Sequence, residues 1–351
     1  MRVHVLQLIV GDRLISDSYN SIGLHLLSAG AVLDAGDITM LSRHNIDYVD
    51  IAPRGGTEDT AADTNENAST TATPEQTLAF FDAIEGIKDL FQHAGDGAII
   101  DDEEVEASFS PLIESFENEK DVVSLLLSLN SKDDYTYQHS VQVGMLSYYI
   151  AKWMNKNEQE ALFVGKAGYL HDIGKSRIPS SILQKPGRLT AEEYNEIKKH
   201  TIYGYEIIIN SLHDQELAYA ALQHHERMDG TGYPLRKKSH EIHWIARIVA
   251  VADVYSAMIC NRVYQQKRDL LFVLKELHRM SFGELDPAVT QVFIKHMIPN
   301  FIGKKACLND GRIGTIVMTN PTDFFRPLIQ VDDQFIDLSQ TSGLEISTIA
   351  M

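Results

Sequence analysis

His171 and Asp172 stand side by side, followed by Ile173, Gly174 and Lys175. His139 lies upstream; His200, the doublet His224-His225 and Asp253 lie downstream. Imidazole and carboxylate together form a ligand set for transition metals. A neutral imidazole offers one nitrogen lone pair, whereas a carboxylate has two oxygens and can bridge two cations. Two metals about 3.5–4 Å apart activate a shared water and stabilise an in-line phosphoryl displacement. The set therefore reads as a two-metal phosphoesterase site. Asp172 suits the bridging position. His139, His171 and Asp253 would complete one metal's shell, and His200, His224 and His225 the other's.

Taken singly, each residue has a blander explanation. A histidine on an apolar face is usually a core or surface residue, and the other histidines are read that way. Asp253 differs, because it lies within Ile248-Val249-Ala250-Val251-Ala252-Asp253-Val254. A carboxylate buried there without a partner is costly, so it needs a ligand or a salt bridge. Arg247, six residues away, is a weak candidate. Lys175 reads in two ways: as a contact for a substrate phosphate, or as a helix-terminal lysine favoured by the macrodipole.

The net charge of −18 argues against binding a nucleic acid polymer or an anionic membrane through bulk electrostatics. The charge is uneven. Residues 171–268 hold fourteen Lys and Arg against eleven Asp and Glu, a net of +3, which leaves −21 for the remainder. The ligand-bearing segment thus has spare positive charge for an anionic substrate. No run of about 18 apolar residues occurs, so no membrane insertion is expected. The first ten residues do not follow the order of a signal peptide. Two cysteines, Cys260 and Cys307, give neither a disulfide framework nor a thiolate cluster. These features fit a cytoplasmic protein.

The elements that must position the ligands are mostly helical. Residues 1–53 mix strand signals, at Val3–Val10 and Tyr48–Ala52, with a short helix over Ile38–His44, and suggest a small α+β module. Residues 54–75 suggest an acidic flexible linker, because Thr57–Glu75 has five acids, no base and little apolar surface beyond alanine. Residues 76–132 suggest connecting helices, with Leu78, Phe81, Ile84, Ile87 and Phe91 at helical spacing. Residues 133–298 suggest the ligand-bearing helical domain. Within it Thr190 and Glu193 form a capping box, opening a helix that carries His200 towards Asn210. Asp229–Pro234 must be a loop. Residues 299–351 suggest a small β module with strands at Arg312–Val317, Leu328–Val331 and Phe335–Leu338.

His171-Asp172-Ile173-Gly174-Lys175, together with His224-His225-Glu226-Arg227-Met228-Asp229-Gly230-Thr231-Gly232-Tyr233-Pro234, resembles the HD-GYP family. These are bacterial cyclic di-GMP phosphodiesterases of the HD phosphohydrolase superfamily. The likeness covers roughly residues 133–297. It implies a mainly α fold: an HD-type helical bundle, here with a small N-terminal α+β module and a small C-terminal β module. It implies two or three metals, usually iron or manganese, held by His139, His171, Asp172, His200, His224, His225 and Asp253. Three-metal members carry a glutamate where this chain has Tyr135, so two divalent ions are expected. Asp172 and Lys175 carry over as catalytic. Lys175, Tyr233 and Arg262 are the expected substrate contacts, with Lys267 near a lysine position that here is Gln265. The implied reaction is attack of a metal-bridging hydroxide on cyclic di-GMP, giving pGpG, with a second cut to GMP left open. Two alternatives stand beside it: hydrolysis of another cyclic dinucleotide such as cyclic GMP-AMP, and a non-catalytic cyclic-dinucleotide receptor. The flanking modules leave room for a homodimer or a signalling-protein partner.

Overall fold

The structure is a computed structural model. It describes residues 72–117, 135–185, 187–260 and 270–349, with scattered positions in 2–52 and 119–129. The chain divides into two compact units, Met1–Ala68 and Ser69–Met351.

In the first unit β1 (Arg2–His4) pairs antiparallel with β4 (Tyr48–Asp50), and β2 (Ser18–Tyr19) with β3 (His25–Leu27). Leu8, Leu14, Leu33, Leu41, Val49 and Ile51 make its core. Most of the helix expected at Ile38–His44, and most of the expected linker, lie outside the described residues.

The second unit begins with α1 (Pro74–Gly95), capped reciprocally by Thr73 and Gln76. Its buried seam is Phe80, Ala83, Ile84, Ile87, Leu90, Phe91 and Ala94. Leu78 and Phe81, expected in that seam, are 63% and 43% exposed. At 3.6 residues per turn Leu78 falls on the far side from Phe80 and Ile84, and Phe81 on the flank. Next comes α2 (Asp102–Phe116), capped by Asp101. Helix α3 (Tyr135–Trp153) is the centre of the unit, with every residue from Gln138 to Ala151 buried. Helix α4 (Glu158–Leu170) follows, then a 3₁₀ turn over Ile173–Arg177.

The capping box predicted at Thr190 opens α5 (Ala191–Lys198). This helix does not run on to Asn210 as expected. It ends in a tight 3₁₀-type bond from Lys199 N–H to the Glu196 carbonyl, and α6 (His200–Leu212) starts afresh. Helices α7 (Gln215–Gln223), α8 (Trp244–Cys260), α9 (Leu270–Met280) and α10 (Pro287–Met297) complete the bundle.

The C-terminal sheet is antiparallel in the order β8-β7-β6-β5-β9. Its strands are β5 (Lys305–Leu308), β6 (Ile313–Met318), β7 (Leu328–Val331), β8 (Gln334–Asp337) and β9 (Ile346–Ile349). Strands β5 and β9, not expected from sequence, are short; β5 pairs with both β6 and β9, and β9 with β5. Buried residues of the helices and of this sheet form one continuous core. The fold is mainly α, as the sequence implies. No helix among the described residues is long and apolar enough to cross a membrane.

Candidate metal centre

The seven expected ligands come from five places in the bundle. His139 lies in the first turns of α3, His171 caps α4 and Asp172 follows it. His200 opens α6, His224 caps α7 with His225 next, and Asp253 lies within α8. The sequence folds tightly here for a local reason. A Cβ on Gly174 would sit 1.9 Å from the His200 carbonyl oxygen, so only glycine lets the 3₁₀ turn rest against α6.

One device orients three of the imidazoles. Nδ1–H of His171 donates to the Gly168 carbonyl at 2.6 Å. That of His200 donates to Ile197 at 2.7 Å and that of His224 to Ala220 at 3.2 Å. Each acceptor is a carbonyl in the last turn of a helix that also accepts a backbone N–H from the capping residue. With the proton on Nδ1, each Nε2 lone pair faces inwards, as a metal ligand requires. His139 reaches the same state differently. The Ser256 hydroxyl donates to Gln142 Oε1 at 2.9 Å, so it accepts from His139 Nδ1 at 3.0 Å.

Asp172 sits between two groups. Its Oδ2 faces His171 Nε2 at 3.3 Å and His139 Nε2 at 3.9 Å. Its Oδ1 faces His200 Nε2 at 3.3 Å and His224 Nε2 at 3.9 Å. Asp253 Oδ1 lies 3.0 Å from His139 Nε2, and its Oδ2 lies 3.7 Å from His225 Nδ1. The ligand atoms of His139, His171 and Asp253 fall within 4.8 Å of one another, as do those of His200, His224 and His225.

These contacts set lone pair against lone pair. Nε2 of His200 and Nε2 of His224 approach to 3.3 Å. His171 Nε2 and Asp172 Oδ1 are buried without a hydrogen-bond partner. Buried polar atoms in that condition are costly unless a cation lies among them. The donor set, its inward lone pairs and its orphaned atoms fit divalent metals.

The electrostatics agree. Burial pushes His200 down to about 4 and His225 down to about 3. Burial, with His225 alongside, pushes His224 well below the ordinary histidine range. Burial also pulls His171 down, but the Asp172 carboxylate outweighs it and the net shift is upward. For Asp172 burial acts upward, yet Lys175 and His171 hold it well below the carboxylate range. Asp253 is likewise held low against burial, by the neighbouring imidazoles of His139 and His225. At neutral pH both carboxylates are charged, and His200, His224 and His225 are neutral donors.

The remaining expected residues fall in different places. The Lys175 ammonium rests 2.5 Å from Asp172 Oδ2, as the counter-charge of the carboxylate between the two groups. Arg247 pairs with Asp286 at 3.3 Å and is not the partner of Asp253. The Tyr233 ring lies 4.7 Å from that of His225. Tyr135 stacks on His139 with centroids 6.1 Å apart and planes 7° from parallel. Arg262 and Lys267 lie outside the described residues.

Sequence reasoning missed Glu226. It is buried, with one oxygen accepting Leu235 N–H at 2.7 Å and the other Lys237 N–H at 3.0 Å. It thereby clamps the loop whose Tyr233 N–H donates to the His225 carbonyl. Gly232 permits the fold-back, because a Cβ there would lie 2.4 Å from Arg227 N. The signal was adjacency: an acid directly after the doublet. Ser256 and Gln142 were missed too, each three residues after a ligand and so on the same helix face.

Residues 123–289 match a family model described as the HD domain. A cyclic di-GMP phosphodiesterase of Thermotoga maritima is 40% identical over 178 residues, covering 50% of this chain and 48% of that protein. A 3'3'-cGAMP-specific phosphodiesterase of Vibrio cholerae is 32% identical over 202 residues, covering 57% and 38%. The chain thus spans about half, or less, of the length of these curated relatives. An HDG"Y"P protein from Bdellovibrio bacteriovorus shares the fold with a TM-score of 0.51 at 16% identity, covering 84% of this chain and 97% of that one. The likeness to the HD domain family thus covers residues 123–289, a little under half of the chain.

Proposed function

We propose that this protein is a metal-dependent phosphodiesterase that hydrolyses cyclic di-GMP to pGpG and, in a second cut, to GMP. The observation that carries the reading is the position of Asp172, whose two oxygens face two separate groups of inward-pointing imidazoles. His139, His171 and Asp253 would hold one divalent ion and His200, His224 and His225 the other, with Asp172 shared. Iron and manganese suit this mixed imidazole–carboxylate set. When bound, the pair supplies an activated water and offsets the charge of an in-line displacement.

The chain's own residues do the rest. Helix carbonyls hold the imidazole tautomers, so the donors need no reorganisation. Lys175 keeps Asp172 ionised and adds positive charge beside the cleaved phosphate. The Tyr233 ring walls the pocket against His225. Spare positive charge over residues 171–268 favours an anionic substrate in a protein of net charge −18.

The test is turnover of cyclic di-GMP after anaerobic loading with iron or manganese, with metal counted per chain. Asp172→Ala should lose metal and turnover together; turnover retained in that variant would remove the bridging role. A second substrate, cyclic GMP-AMP, is favoured by the likeness to the Vibrio cholerae protein. Parallel assays with both cyclic dinucleotides rank them.

A further inference from the structure

The rim of the centre carries a lysine whose charge no carboxylate among the described residues answers. Lys198 ends α5, two residues before His200. Its ammonium lies 4.5 Å from the centroid of the Tyr194 ring and 5.7 Å from that of Tyr233. It also donates to Asn195 Oδ1 at 3.2 Å. Tyr233 packs in turn on His225. Nearby lysines are committed: Lys175 to Asp172, Lys185 to Glu193 and Lys199 to Glu196. Among the described residues Lys198 has no ion pair. Aromatic faces attract a cation through their quadrupole without cancelling its charge, so that charge stays available to an anion. Tyr194 is 49% exposed, so the place opens to solvent.

A cyclic dinucleotide carries two phosphodiesters on opposite sides of one macrocycle. With one at the histidines, the other extends towards the rim. We propose that Lys198, steadied by Tyr194 and Tyr233, binds the phosphate that is not cleaved. The inference rests on the function proposed above and adds a residue that separates cyclic dinucleotides from simple diesters. Tyr194 acts here as a positioning residue, because it touches the lysine and not the reacting atoms.

Two substrates test this: cyclic di-GMP, and bis(p-nitrophenyl) phosphate, which has a single phosphate. Removing a charge-assisted contact should lower the ratio of kcat/KM for cyclic di-GMP to that for the small diester about tenfold in Lys198→Gln. The loss should fall mainly in KM, as expected for a contact present equally in ground and transition states. Lys198→Arg should restore the ratio, and metal per chain should match the wild type in both variants. An unchanged ratio in Lys198→Gln, or equal losses on both substrates, overturns the assignment while leaving the proposed function standing. A metal-loaded wild type that cleaves the small diester but neither cyclic di-GMP nor cyclic GMP-AMP overturns the proposed function and this inference together.

Discussion

Glu226 shows how a residue outside the ligand set can govern it. Both of its oxygens are occupied by backbone N–H groups of the loop that carries Tyr233. Removing a charged acceptor from buried donors leaves them unsatisfied. Glu226→Ala should therefore cost about 3 kcal/mol of stability in denaturant unfolding. Metal per chain should change little, because no ligand hydrogen-bonds to Glu226, whereas KM for the cyclic dinucleotide should rise as Tyr233 loosens. Metal loss equal to that of Asp172→Ala would instead make Glu226 part of the centre's own support. At this scale much was legible. Asp253 declared itself by being a carboxylate in an apolar helix, and the structure gives it His139 and His225 as neighbours. Glu226 stayed hidden because an acid beside a loop ordinarily reads as solvated, and nothing local announces that a distant stretch of backbone will cover it.

Among the elements, the contact between the 3₁₀ turn and α6 sets the distance between Asp172 and His200. Gly174 lies where a Cβ would meet the His200 carbonyl at 1.9 Å and Gly204 N at 2.3 Å. Gly174→Ala must push these backbones apart, and overpacking of this kind costs about 3 kcal/mol. The expected outcome is a lower midpoint of thermal unfolding together with reduced metal per chain, both measurable on one purified variant. A normal metal content would show that the centre tolerates the shift. The split between α5 and α6 belongs to the same scale. The capping box at Thr190 was readable because its signal is local. The break after Lys198 was not, since Lys198, Lys199 and His200 contain neither Gly nor Pro, and the stop is set by packing against the 3₁₀ turn. Leu78 and Phe81 carry a related lesson: apolar type suggested a seam, but angular position chose Phe80 and Ala83 instead.

Across the whole molecule the centre couples folding to pH. His200 and His225 titrate near 4 and 3 in the folded chain, against an ordinary value of 6.5. His224 is depressed as well. Between those values and 6.5 the unfolded chain binds protons that the folded chain refuses, so stability falls as the pH falls. His171, shifted upward, opposes this, contributing stability below 6.5 that is lost as pH rises through its folded value. Three depressed imidazoles outweigh one raised. Asp172 and Asp253 act in the same direction as the three, in a lower window beginning near 3.8. Metal-free protein should lose on the order of 1–3 kcal/mol between pH 6.5 and 5 in denaturant melts. A flat profile would show that these histidines are hydrated in the metal-free state. The helical class could be read from periodicity, whereas β5 and β9 could not, because their pairing joins segments far apart along the chain.

The shared position of Asp172 has a thermodynamic consequence. A carboxylate that faces two groups of donors makes their occupancies interdependent. Whatever fixes its rotamer for one side fixes it for the other, and by reciprocity each ion alters the affinity of its neighbour by the same factor. Lys175, resting on Oδ2, enters the same equilibrium as a built-in competitor that an arriving ion must displace. The occupancies of the two halves are therefore coupled, the ordering of Asp172 acting for joint filling and the repulsion between like charges acting against it.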